Sequence, residues 1–277
     1  MVRVRYSFGS RHTGNLKNIR KQRKKFPKIV LDVIEISDVI LEVLDARFID
    51  ETRNLELEKL IEKKGKRIIY VLNKADLIDK KSIKEKIKIK PYIFISCTER
   101  KGSFGLRNLI KRIINEIDLE NKKRAQVGII GYPNTGKSSL INFLTGRSVA
   151  KKGNEAGFTK GMQKIRLTQN ILILDTPGVI SNEDYSMHDN SKMSKHAKIG
   201  SRNIGKIKEP EVVIQSLIDE YKEKLEKSYE IDSEGDSEIF LERVGKKKNF
   251  LKKGGEVDIT RTALQIIKEW QDGKFKF

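Results

Sequence analysis

The chain has 277 residues, 37% of them apolar, and a formal charge of +20. That apolar share supports a folded core, no apolar run approaches the roughly 20 residues that cross a bilayer, and a single cysteine, Cys97, excludes an internal disulfide framework. A positive charge of this size points to a polyanionic partner, with nucleic acid ahead of an anionic membrane surface.

The first 28 residues hold ten basic side chains (Arg3, Arg5, Arg11, Lys17, Arg20, Lys21, Arg23, Lys24, Lys25 and Lys28) and no acid. Half of the total charge is therefore in one stretch, which reads as an arm, 1–28, able to track a phosphate backbone. It has no apolar segment of the kind a secretory signal needs, so the expected location is cytoplasmic. After the arm, IVLDVIEISD (29–38) has helical spacing, and VILEVLDA (39–46) is a nearly continuous apolar run ending in Asp45-Ala46-Arg47. RIIYVLN (67–73) and YIFISC (92–97) are two more such runs. Short apolar runs separated by helical patterns are the signature of buried parallel strands. SFGLRNLIKRIINEI (103–117) reads as an amphipathic helix, DLENKKRA (118–125) as a polar joint, and QVGIIG as a strand leading to the helix KSSLINFLTG (137–146). MQKIRLTQNILILDTPG (162–178) reads as a hairpin turning near Gln169-Asn170. Residues 179–203 show no clean periodicity and are expected to be a loop or mobile segment. The remainder is helical in pattern: Pro210 suits a first helical position, Asp236 caps a helix expected to stop at Gly245, and Asp258 caps one stopping at Gly273.

Gly131-Tyr132-Pro133-Asn134-Thr135-Gly136-Lys137-Ser138 fits G-x-x-x-x-G-K-[ST], between an apolar run and a helix. The glycines let backbone N–H groups converge on phosphate oxygens, and the helix N-terminus adds positive potential. Asn134, Thr135, Gly136, Lys137, Ser138 and Ser139 are the expected phosphate contacts, with Lys137 reaching the outer phosphates and the Ser138 hydroxyl on Mg²⁺. Asp175, ending an apolar run and followed by Thr176-Pro177-Gly178, is placed to hold the same Mg²⁺ through water, and the Gly178 N–H to contact a γ-phosphate. Thr159, in the polar stretch between these motifs, is the candidate for a second Mg²⁺ hydroxyl that closes over a triphosphate.

Asn73-Lys74-Ala75-Asp76 also ends an apolar run. A carboxylate at Asp76 can accept two hydrogen bonds from the N1–H and N2–H₂ edge of guanine, which adenine cannot supply. Asn73 either bonds the other edge of the base or ties two loops together, and Lys74 can lay its stem on the base plane. Ser96 and Cys97, in ISCT (95–98), can place a loop near the guanine oxygen, though Cys97 reads equally as a small buried residue. These residues lie before the phosphate loop, so a domain that uses both has its usual segment order cut and rejoined, with the polar joint bridging the former termini.

The order guanine reader, base loop, phosphate loop, D-x-x-G resembles the circularly permuted GTPases that assemble ribosomes, the family that includes bacterial ribosome biogenesis GTPase A and its archaeal and organellar relatives. VILEVLDARFIDETRN, VLNKADL, GYPNTGKSSLIN, GFTKGMQ and LDTPGVI all look like segments of that family. The resemblance implies an α/β P-loop GTPase domain with a mostly parallel, circularly permuted sheet and a small C-terminal all-helical domain. It implies a cytoplasmic enzyme that turns GTP into GDP and phosphate, acts on the large ribosomal subunit and binds rRNA. The expected divisions are the arm 1–28, a GTPase domain 29–182, a switch-linked segment 183–204 and a helical RNA-binding domain 205–277. RNA contacts are expected from Arg3, Arg5, Arg11, Arg20, Lys21, Arg23, Lys24 and Lys25, and from Lys246, Lys247, Lys248, Lys252 and Lys253 around Phe250, itself a core or base-stacking residue. The position after D-x-x-G, where many GTPases keep a water-orienting glutamine, is Val179, so intrinsic hydrolysis is expected to be slow and to rise on ribosomal particles. The resemblance also implies a potassium ion at Asn134 and, from the arm, a catalytic histidine, for which His12 is the candidate although its Ser-Arg-His-Thr-Gly setting departs from the family pattern. Two other readings stay open: an RNA-binding chaperone whose nucleotide site gates binding with incidental hydrolysis, and a GTPase brought to a membrane by its arm. The second is weakened because the arm lacks the Trp or Leu face of an interfacial helix, so no stable membrane association is expected.

Overall fold

A computed structural model describes residues 28–117, 123–146, 162–176, 190–200 and 204–275. Strands β1 (Val39–Asp45), β2 (Arg67–Asn73), β3 (Tyr92–Phe94), β4 (Ala125–Gly131), β5 (Gln163–Arg166) and β6 (Ile171–Asp175) form one sheet in the order β3-β2-β1-β4-β6-β5. Every neighbouring pair is parallel except β5–β6, the hairpin read from the sequence. The chain first walks outward from β1 to β2 and β3, then returns to the other side of β1 for β4. The carboxyl ends of β1 and β4 therefore flank the point where strand order reverses, the usual place for a ligand in an open α/β sheet. Register carries this to residues: Asp45 pairs with Asn73 and Val43 with Gly131, so the two nucleotide motifs leave the same end of the sheet on either side of β1.

β1 is buried along its whole length, as a central parallel strand covered on both faces should be. Helices α1 (Lys28–Ile36) and α3 (Leu55–Lys63) pack Val30, Ile34, Leu57 and Ile61 against Ile40 and Ile130. On the other face α5 (Ser103–Asn115) and α6 (Lys137–Thr145) pack Leu106, Ile110, Leu140 and Ile141 against Leu41, Val43, Val127 and Ile129. Short helices α2 (Ile49–Thr52) and α4 (Lys80–Lys84) complete this half.

The C-terminal part is helical: α7 (Asn190–Lys198), α8 (Pro210–Tyr229), α9 (Ser237–Lys247) and α10 (Ile259–Gln271). Pro210 is the first residue of α8; Asp236 accepts bonds from the backbone of Glu238 and Ile239, and Asp258 from that of Arg261. Two features differ from the sequence reading. Residues 190–198, expected to be aperiodic, form α7, because Ala197 and Ile199 just beyond it are buried in the helical core. α9 continues through Gly245 to Lys247; a Cβ at Gly245 would lie 2.2 Å from Val257 Cγ1, so this glycine permits a close approach and does not end the helix. The helical core is not closed on itself. Phe48 and Tyr132, from the sheet half, are fully buried in it, and Phe48 stacks on Trp270 with ring centroids 6.2 Å apart.

Candidate nucleotide-binding site

The phosphate loop follows β4 and opens α6. Gly131 has φ +147°, and a Cβ there would meet Val43 O at 2.4 Å, so only glycine lets the loop leave the sheet this close to β1. Asn134 and Gly136 also have positive φ, 60° and 99°, which turns the loop's amides inward. Thr135 Oγ1 donates to Tyr132 O at 3.0 Å. Lys137 Nζ spans the loop, donating to Gly131 O at 3.0 Å and Tyr132 O at 2.7 Å. Burial pushes the Lys137 ammonium down to about 8, against the pull of Asp175 in the opposite sense. Asp175 ends β6; burial raises its carboxyl, Lys137 opposes that, and its Oδ1 is buried with no hydrogen-bond partner among the described residues. The next residue, Thr176, anchors the strand end by donating to Ile129 O at 2.7 Å.

The guanine motif sits at the end of β2. Asn73 Nδ2 donates to Thr135 O at 2.8 Å, a bond that ties the two loops together. Its Oδ1 is buried without a partner among the described residues. Asp76 is held by Ser96, whose hydroxyl donates to Asp76 Oδ1 at 2.6 Å and accepts the Glu99 N–H at 2.9 Å. The base loop is fixed to the motif by Ala75 N–H on Ile95 O at 3.0 Å. Cys97 is half-buried against the core beside this loop. Lys74 adopts φ 60° and its ammonium lies 2.8 Å from Asp45 Oδ2.

Asp45 and Arg47, at the end of β1, form a clamp beside these motifs. Arg47 grips Asp45 with Nε at 3.0 Å and a terminal nitrogen at 2.8 Å, and its other terminal nitrogen donates to Trp270 O at 2.9 Å on α10. Burial would raise the Asp45 carboxyl, but Lys74 and Arg47 outweigh it and hold the group at about 2. A charged pair at the end of a seven-residue buried strand is the available signal, since buried charges are paired. The nucleotide motifs also touch the helical part directly. Asn134 Nδ2 donates to Gly200 O, the Tyr132 ring lies 5.9 Å from that of His196, and a Cβ on Gly273 would collide with Leu77 at 2.5 Å. His196 is thus buried on α7 with its Nδ1 3.4 Å from the Tyr132 hydroxyl.

Thr159, Gly178, Val179, His12 and the arm residues Arg3, Arg5, Arg11, Arg20, Lys21, Arg23, Lys24 and Lys25 lie outside the described residues. The second basic patch is present, but several of its lysines serve the fold. Lys246 pairs with Glu242 at 3.2 Å, Lys247 with Glu230 at 2.9 Å and Lys248 with Glu269 at 2.6 Å, while Lys252 and Lys253 are exposed. Phe250 is half-buried with the Arg261 guanidinium 4.7 Å from its ring centre.

Residues 126–244 match the 50S ribosome-binding GTPase family, a stretch that begins inside β4 and leaves the guanine motif upstream. Over 262 residues the chain is 45% identical to a GTP-binding protein of Methanocaldococcus jannaschii, covering 92% of this chain and 67% of that one. The solved structure of GNP-bound YlqF from T. maritima superposes with a TM-score of 0.62 at 27% identity, over 90% of this chain and 96% of that one. The chain belongs to the circularly permuted ribosome-assembly GTPase family. The permuted GTPase is also 31% identical over 293 residues to nuclear GTP-binding protein NUG1 of Saccharomyces cerevisiae and 34% identical over 267 residues to nuclear/nucleolar GTPase 2 of Oryza sativa subsp. indica. It spans 56% and 48% of those two relatives, about half of their length. Among its described residues no helix is long and apolar enough to cross a membrane.

P-loop GTPases use Mg²⁺, and the residues here fit a divalent cation. Asp175 offers a buried oxygen with no partner among the described residues, and Ser138 a half-buried hydroxyl in the first turn of α6.

Proposed function

We propose that this permuted GTPase binds GTP, hydrolyses it slowly, and works as an assembly factor on the large ribosomal subunit, binding rRNA in a way that depends on the nucleotide. The observation that carries the nucleotide half is the bond from Asn73 to Thr135, which makes one site of two motifs in inverted chain order. The ribosomal half is supported by the family matched over 126–244 and by the concentration of positive charge in the chain.

In this reading Asp76, oriented by Ser96, accepts the guanine N1–H and N2–H₂, and an adenine there leaves the carboxylate unpaired. The amides of Asn134, Thr135, Gly136, Lys137, Ser138 and Ser139 take the phosphates, and the Lys137 ammonium neutralises the outer ones. Ser138 and Asp175, the latter through water, would hold Mg²⁺, with Thr159 as a further hydroxyl, and the ion would offset charge on the phosphate oxygens. Gly178 reads the γ-phosphate. Val179 cannot orient water, so the group that does so comes from the ribosomal particle, from a potassium ion at Asn134, or from His12. Sedimentation with large subunits in GTP analogue, GDP or no nucleotide tests the reading; equal association in all three overturns nucleotide-dependent binding. The Val179 position favours one rival, an RNA chaperone gated by nucleotide. A single-turnover rate unchanged by large subunits decides for that rival.

A further inference from the structure

The stretch joining the guanine motif to the edge strand is the most basic described surface with no assigned role. Residues 80–90, KKSIKEKIKIK, hold six lysines and one acid, a net +5 in eleven residues. Lys80, Lys81, Lys84, Lys86, Lys88 and Lys90 are all exposed. None of the six ammonium groups has a carboxylate partner among the described residues, whereas Lys246, Lys247, Lys248 and Lys274 in the helical part are each paired with a glutamate. Lysines that serve the fold are thus distinguishable from lysines that do not. In the second half of the stretch burial alternates: Ile87 and Ile89 turn into the cluster around Leu44, Tyr70 and Leu72, while Lys86, Lys88 and Lys90 face out. The isoleucines fix the backbone to the sheet, so the lysines between them form one row at β3, the edge of the sheet.

We infer that residues 80–90 form an RNA-docking surface that contacts the phosphate backbone through this lysine row. Like charges at this density repel one another, and a polyanion relieves that repulsion while releasing its own counterions. RNA is favoured over a lipid surface because the apolar side of the stretch faces the core. An interfacial segment needs that side turned outward. The surface adjoins the guanine reader, with Lys80 four positions after Asp76. The inference extends the proposed rRNA binding and rests on it.

The test uses the full chain with Lys84→Gln, Lys86→Gln, Lys88→Gln and Lys90→Gln together, and a fluorescein-labelled RNA hairpin of mixed sequence titrated at several KCl concentrations. The variant is expected to bind at least tenfold more weakly at low salt. Its slope of log affinity against log salt is expected to fall by about three, since each lost phosphate contact removes about 0.7 to 0.9. GDP affinity and melting temperature are expected to stay at the wild-type values. Unchanged RNA affinity and slope in the variant overturn this surface alone. Failure of the wild-type chain to bind the hairpin overturns the rRNA reading and this surface together. Retention on phosphatidylserine–phosphatidylcholine vesicles, lost in the variant while hairpin binding is kept, reassigns the row to lipid and overturns the inference. As a second readout, the hairpin is expected to shield Lys84, Lys86, Lys88 and Lys90 from acetylation; equal acetylation with and without it counts against the surface.

Discussion

Asn73 donates its side-chain amide to the carbonyl oxygen of Thr135 at 2.8 Å, across 62 positions of chain. Gly136, the next residue, has φ +99°, and a Cβ there would lie 2.2 Å from Asn73 Nδ2. Gly136→Ala therefore both strains the backbone and pushes the guanine reader off the phosphate loop. The expected result is at least a tenfold loss of affinity for GDP and for GTP alike, measured by calorimetric titration, with a melting temperature only a few degrees lower. Retention of wild-type GDP affinity refutes the joint role of the pair.

Asp76→Asn keeps the shape of the side chain and its contact distance to Ser96 but puts a donor where the proposed guanine edge needs an acceptor. Loss of charge-assisted bonds should weaken GTP by about 3 kcal/mol or more, and xanthosine triphosphate should become the better ligand. A competition assay with the two nucleotides reads this directly, and an undiminished preference for guanosine removes Asp76 from the base-reading role.

Asp45 lowers its carboxyl from 3.8 to about 2 in the folded chain, so the folded state binds fewer protons than the unfolded one in that window. Its stabilisation is complete above about pH 4 and disappears as pH falls through about 2, a change on the order of 2 kcal/mol. Asp45→Asn should abolish that part of the acid dependence. At neutral pH it should cost about 3–5 kcal/mol, because Arg47 and Lys74 are left facing a neutral amide. Urea midpoints at a series of pH values separate these outcomes from a uniform loss.

Lys137 shows the opposite case. Its ammonium is depressed to about 8 from 10.5, so without nucleotide folding stability rises as pH goes from about 8 toward 10.5, where the unfolded chain still carries the proton. Phosphate binding needs the charged form. GTP affinity should therefore fall as pH rises through about 8, with proton uptake on binding at pH values above it. Calorimetry in buffers of different ionisation enthalpy measures the uptake, and Lys137→Gln should bind GTP weakly with no such pH dependence.

Tyr132 is a phosphate-loop residue whose ring is buried in the helical core against His196. Tyr132→Ala should cost about 3–5 kcal/mol by opening a cavity between the two parts. Tyr132→Phe, which keeps the ring and loses the hydroxyl contact of 3.4 Å, should cost about 1 kcal/mol or less. Thermal unfolding of both variants tests this ordering; equal losses point away from ring packing.

The motifs were legible because each rests on local geometry: a glycine where φ is positive, an asparagine and an aspartate at the end of a buried run, an aspartate before each of two late helices. What sequence did not disclose came from tertiary contact. α7 is too polar to announce itself, and its helix depends on burial of Ala197 and Ile199 by neighbours. Gly245 has the composition of a helix stop, yet the approach of Val257 decides its role. The Asp45–Arg47 clamp needs Lys74 and Trp270, which lie far from it along the chain, to give it meaning.

The placement of β1 has a consequence during synthesis. Residues 28–117 emerge with strands for only one side of it, so the row of backbone amides and carbonyls that later bonds Val127–Gly131 stands open on a nascent chain. An unpaired, apolar strand edge is a template for wrong partners. In this segment order that exposed edge precedes translation of the phosphate loop.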